Sequence, residues 1–165
     1  MGLLTNIFIS LVFVSSLRSV RPGKSATQAI QQALTYINQG HRCIGDIDLK
    51  NFFDEVNHDY LMTLIKRKVR DSLVLRLIWR YLRSPLEIDG KLQKRRKGVP
   101  QGGPLSPLLS NIVLNELDQE LEERGLRFVR YADDFSVFVK TPRAAHRVKR
   151  RITGFIANRL RYSVN

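Results

Sequence analysis

Hydrophobic and polar positions along the chain switch between a helical and an extended period, and the switches mark its elements. Ala29, Ile30, Ala33, Leu34 and Ile37 recur at intervals of three and four, one face of a helix. Ser25-Ala26-Thr27-Gln28 ahead of them is a capping-box pattern and Gly40 behind them is a helix stop. Residues 42–49 read as a strand, with Ile44 and Ile47 apolar and with Asp46 and Asp48 two apart, hence on one face. A helix from about Asn57 to Val69 turns Leu61, Leu64 and Ile65 inward, and Asp71 caps a second helix that runs through Arg83. Trp79 falls inside that repeat and reads as core or interface. Asp89-Gly90 between two short runs, 86–88 and 91–93, signals a hairpin.

Ser106-Pro107 then reads as a cap with proline at the first helical position, followed by the apolar face Leu108, Leu109, Ile112, Val113, Leu117 and Leu121, which Gly125 closes. Two β-type runs, 126–129 and 135–139, meet at Tyr131-Ala132-Asp133-Asp134 as a second hairpin. Thr141-Pro142 opens the last helix, with Val148, Ile152, Phe155 and Ile156 inward and Arg143, Arg147, Lys149, Arg150 and Arg151 outward. No linker, repeat or low-complexity tract divides these pieces. The expected fold is one α+β body, an antiparallel sheet packed on helices.

Residues 1–17 are apolar and uncharged, too short for a confident membrane span and without the basic start of a secretory signal. We expect a buried segment there or the start of a shortened reading frame, with no stable membrane association. The 165 residues carry 28 Lys and Arg against 15 Asp and Glu, a formal charge of +13. That is the footprint of a polyanion-binding protein, with nucleic acid the default partner. A single cysteine, Cys43, excludes an internal disulfide and a multi-Cys zinc site, and three scattered histidines disfavour a His-based one. A reducing compartment follows, cytoplasmic in a bacterium or organellar, and secretion is not expected.

The acidic hairpin tip carries the chemistry. Neighbouring carboxylates repel one another, and a divalent cation would cancel that repulsion; the plainer alternative is a solvated turn. A third carboxylate decides for metal, and strand 42–49 offers Asp46 or Asp48 if it pairs beside the hairpin. Between the two acidic stretches, Lys94-Arg95-Arg96-Lys97 precedes the loop Gly98-Val99-Pro100-Gln101-Gly102-Gly103-Pro104, where a phosphate backbone could approach. For Asp54 and His58 local capping or hydrogen bonding is the favoured reading.

Asp48-Leu49-Lys50-Asn51-Phe52-Phe53-Asp54, Gly98 through Pro107 and Tyr131-Ala132-Asp133-Asp134, in that order, resemble reverse transcriptases of the group II intron-encoded (maturase) family. Arg21-Pro22-Gly23-Lys24-Ser25 is similar to that family's upstream finger block. The resemblance implies a right-hand polymerase palm with part of the fingers over residues 21–165, preceded by an apolar leader at 1–20, with the thumb absent. It implies RNA-directed DNA synthesis with two Mg²⁺ ions, Mn²⁺ serving as a substitute, held by Asp48, Asp133 and Asp134 as catalytic and metal-binding residues. Only Asp48, not Asp46, heads the matching motif. By the same resemblance Phe53 excludes a ribose 2′-hydroxyl, Gln101 and Gly102 line the nucleotide pocket, and Arg21 and Lys24 touch template or triphosphate. Phe52, next to Phe53, is expected to point to the opposite face. Implied partners are an RNA template, a DNA primer, dNTP and group II intron RNA. Because thumb and maturase blocks do not follow, weak activity is expected, and a catalytically silent RNA-binding remnant is the alternative.

Overall fold

The computed structural model describes residues 26–88 and 90–164. The leader assigned to residues 1–20, Arg21, Lys24 and the Ser25 cap lie outside them. Helix α1 (Ala26–Asn38) leads into strand β1 (Cys43–Asp48), a one-turn helix α2 (Phe52–Glu55), α3 (His58–Lys66) and α4 (Ser72–Leu82). The short hairpin β2 (Leu86–Ile88) and β3 (Lys91–Gln93) precedes the long α5 (Ser106–Glu123). A second hairpin, β4 (Arg127–Tyr131) and β5 (Asp134–Val139), is followed by α6 (Pro142–Phe155), which runs on into a π-helical turn, Ile156–Leu160.

Side chains fix several of these starts, as the sequence predicts. Asn57 accepts a hydrogen bond from the Tyr60 amide, Asp71 from those of Leu73 and Val74, and Thr141 from that of Ala144. Ser106 behaves differently. Leu105 occupies the cap position of α5 without a side-chain bond, and the Ser106 hydroxyl is bonded to the Pro100 carbonyl and, at 2.9 Å, to the Tyr81 hydroxyl.

The main sheet is antiparallel in the order β1-β5-β4, so β5 sits in the middle. Its register pairs Ile47 with Phe135, Asp46 with Ser136 and Asp48 with Asp134. Strand alternation then sorts the side chains. Ile47, Phe135 and Val137 share the face that packs into the core, with Val113, Leu114, Leu117 and Leu121 of α5 and Ile152 of α6. Asp46, Asp48, Ser136 and Asp134 share the other face, where α1 meets β5 through Tyr36 tilted against Phe138, ring centroids 5.6 Å apart. Asp46, Asp48 and Asp134 stay exposed on that face.

Two residues placed inward by periodicity are not buried. Leu34 is 53% exposed because Tyr36 takes the contact with the sheet, and Leu108 is 55% exposed because the buried stripe of α5 runs through Ser106, Leu109, Ser110 and Val113 instead. No helix among the described residues is long and apolar enough to cross a membrane.

Candidate active site

Backbone pairing brings the predicted acids together. Asp48 ends β1 directly opposite Asp134, the first residue of β5, and Asp133 is the residue before it in the turn. That turn has only Ala132 and Asp133 between the paired Tyr131 and Asp134. Ala132 has φ +54°, the left-handed region in which a first loop residue is normally glycine. The β5 strand therefore starts one residue earlier than the apolar run suggests.

Asp133 is raised above the ordinary carboxylate value, chiefly by partial burial and further by the charge of Asp48, while a backbone hydrogen bond and Arg130 pull it back. Asp134, exposed at the start of β5, is raised as well, first because the turn partly desolvates its carboxylate and then by the charges of Asp133, Asp48 and Asp46. Asp48 thus acts on both turn acids, and Asp133 acts on Asp134. Among the described residues no three His, Cys, Asp or Glu side chains are gathered into a ready ligand shell. Asp46 accepts a hydrogen bond from Ser136 at 2.7 Å, which ties it to the strand ladder rather than to the turn.

The second cluster forms where α2 meets the glycine-rich loop. The Gly98 amide donates to the Val56 carbonyl and the Val99 amide to the Phe53 carbonyl, both at 2.8 Å, and the Gln101 side chain donates to Asp54 at 3.0 Å. Phe53 and Gln101 are thereby held on neighbouring backbones. Phe52 and Phe53 do not point to opposite faces: the helical turn puts their rings in edge contact at 5.4 Å, with Phe52 buried and Phe53 half-buried. His58 is structural, its Nε2 2.7 Å from the Gly98 carbonyl, and burial lowers its pKa. A Cβ on Gly98 or Gly103 would strike Asp54 backbone or the Tyr81 hydroxyl, so those two glycines serve packing. Gly102, with φ +74°, borders open space.

Of the four consecutive cations, Lys97 is engaged by Glu55 at 2.6 Å, and Lys94 and Arg96 stay exposed. Trp79 is half-buried against the core, beside His58. Sequence reasoning missed Arg130, which faces the core from β4 and forms an ion pair with Asp118 of α5 at 2.7 Å, the two side chains 7% and 1% exposed. The only signal for it was a charge at a position that period-two alternation buries.

Residues 4–165 match the family described as "Reverse transcriptase (RNA-dependent DNA polymerase)". Protein YkfC of Escherichia coli is 30% identical over 88% of this chain, and the group II intron-encoded protein LtrA of Lactococcus lactis is 34% identical over 72% of it. The chain spans 48% of the first and 20% of the second. A Candida tropicalis telomerase structure superposes over 99% of this chain and 32% of its own with a TM-score of 0.65, at 15% identity, a likeness of fold. The α+β body, with its antiparallel sheet and its acid-bearing hairpin, belongs to the reverse transcriptase (RNA-dependent DNA polymerase) family, with group II intron-encoded proteins among its relatives.

Proposed function

We propose that this chain is the palm, with part of the fingers, of an RNA-directed DNA polymerase that extends a DNA primer on an RNA template. The observation that carries the reading is the β1–β5 register, which sets Asp48 against Asp134 with Asp133 at the turn beside them. Asp48 raises the proton affinity of both Asp133 and Asp134, so the three carboxylates offer a crowded hard-oxygen donor set, and Mg²⁺ prefers such ligands. Asp48, Asp133 and Asp134 would hold two Mg²⁺ ions, or Mn²⁺ in their place. Bound there, such a pair lowers the barrier by activating the attacking 3′-hydroxyl and neutralising charge on the leaving pyrophosphate.

The chain's own residues supply position. Phe53, its carbonyl held by the Val99 amide and its ring half-buried, is the residue assigned by the motif resemblance to exclude a ribose 2′-hydroxyl. Gln101 and the open backbone at Gly102 border the space for the nucleotide. The exposed Lys94 and Arg96, together with the outward cations of α6, suit template phosphates. Arg21 and Lys24 are assigned to template or triphosphate on the motif alone. Group II intron RNA is the proposed natural partner, on the strength of the LtrA likeness.

Primer extension on an RNA template tests this, with the chain alone and with the downstream regions of a full-length relative supplied. Expected is dNTP- and Mg²⁺-dependent extension, weak or absent with the chain alone and recovered with those regions supplied, that Asp133→Asn abolishes. RNA binding without any extension sensitive to that substitution would favour a silent RNA-binding remnant instead.

A further inference from the structure

We infer that Arg130 is a positioning residue that clamps the acidic turn from its core side, fixing Asp133 through the Ala132 carbonyl. This rests on the reading of Asp133 as a metal ligand. Arg130 sits two residues before the turn, opposite Phe135, and its guanidinium lies 5.7 Å over that ring. Its Nε and Nη2 donate to the two carboxylate oxygens of Asp118 at 2.8 and 2.7 Å. Its Nη1 donates to Asn111 Oδ1 and to the Ala132 carbonyl, each at 2.9 Å. Asn111 and Asp118 are seven residues apart on α5, so one helical face orients the fork.

The arrangement is more specific than a stabilising ion pair requires. A buried pair can usually be replaced by apolar side chains with little loss of stability, so stability alone does not explain a planar fork with its protons directed at chosen acceptors. The bond that apolar groups could not replace ends on Ala132, which a β-carbon disfavours at φ +54°. Releasing that carbonyl lets the turn relax, and Asp133 moves with it. Groups that orient a ligating carboxylate from behind typically matter about 10- to 100-fold for metal affinity.

The test uses the 165-residue chain. Arg130→Lys keeps a charge but loses the fork, and the double variant Arg130→Met with Asp118→Leu fills the site with apolar groups. Leu117→Ala, which opens the neighbouring core without touching the clamp, controls for destabilisation. Amide hydrogen exchange at Asp133 and Asp134, relative to Val137 in mid-strand, is read without metal, and Mn²⁺ binding by electron paramagnetic resonance. Expected for both clamp variants is faster exchange confined to the turn and Mn²⁺ affinity lower by about tenfold or more. Leu117→Ala should leave the ratio of turn to strand exchange, and the affinity, as they are. Unchanged turn exchange in the clamp variants overturns the proposal, as does Mn²⁺ affinity that merely follows melting temperature. If Asp133→Asn binds Mn²⁺ as the wild type does, the metal reading and the inference built on it fall together, whereas exchange in the metal-free chain judges the clamp by itself.

Discussion

Replacing Gly98 by alanine should cost far more than the same change at Gly102, although both residues have left-handed backbone. Gly98 has φ +82°, and a Cβ there would lie 2.8 Å from the Asp54 carbonyl oxygen and 3.0 Å from its Cα. Those are backbone atoms of α2, and they cannot swing aside as a side-chain tip could. Retreat of the loop is blocked by three bonds: Gly98 N–H to Val56, Val99 N–H to Phe53, and the His58 ring to the Gly98 carbonyl. A non-glycine residue in left-handed backbone costs about 1–2 kcal/mol. Overpacking adds about 1–3 kcal/mol. The sum, about 2–5 kcal/mol, is a large share of a typical domain's stability of about 5–15 kcal/mol. Gly102, at φ +74° with nothing within 4 Å, should show only the backbone part, about 1–2 kcal/mol. In thermal melts, at about 2–4 °C per kcal/mol for a chain of this size, the two variants separate by several degrees. Because the neighbouring Val99 amide holds the Phe53 carbonyl, Gly98→Ala should also raise the KM for dNTP beyond what its loss of folded protein explains. Equal destabilisation by the two substitutions would refute the close-packing argument.

Asp134 titrates above its ordinary 3.8 in the fold, so folding favours its protonated form; stability is fullest below that value and declines as pH rises through the raised one. Asp134→Asn should therefore be more stable than the wild type at pH 7, gain nothing in acid, and abolish extension. Urea unfolding at the two pH values reads the first part. His58 has the opposite sign: its pKa is lowered from 6.5, so stability is lost as pH falls below 6.5 toward the folded value. A His58→Gln chain should show a flatter acid slope over that window, and an unchanged slope would count against a neutral, buried ring. Phe53→Ala should weaken discrimination against ribonucleotides by about 10- to 100-fold, read as the ratio of kcat/KM for dNTP and rNTP in extension reactions.

What the sequence made legible was whatever depends on short-range pattern. The strand, the hairpins and the capped helix starts follow from spacing and from single residues such as Asn57, Asp71 and Thr141, whose side chains bond within three positions. The acids were legible by type; alternation alone puts Asp46 and Asp48 on one face, and it was the motif resemblance that chose Asp48. In the sheet, Asp46 lies opposite Ser136 and bonds to it, and Asp48 lies opposite Asp134. Side chains whose role depends on distant partners were hidden. Ser106 looks like a cap until Tyr81, 25 residues earlier, is seen to engage its hydroxyl. Arg130 looks like one more surface cation until α5 is folded over it. Leu34 and Leu108 show the reverse error, since periodicity gives the direction of a side chain but not the extent of the surface that covers it.

These hidden contacts share a purpose that the motifs alone do not reveal. At its start α5 holds the glycine loop through Ser106, which is bonded to Pro100 and Tyr81; further along it holds Arg130 through Asn111 and Asp118. From Ser106 to Asp118 a helix rises about 18 Å at about 1.5 Å per residue, a span stiffer than either loop it supports. One rigid element therefore sets the distance between the surface proposed to receive the nucleotide and the carboxylates proposed to receive metal. Transfer chemistry tolerates little error in that distance, because a misplacement of about 1 Å can cost about a hundredfold in rate. The cost falls on the backbone, as left-handed Ala132 beside mutually repelling acids, and the core side of the sheet carries the fork that opposes it.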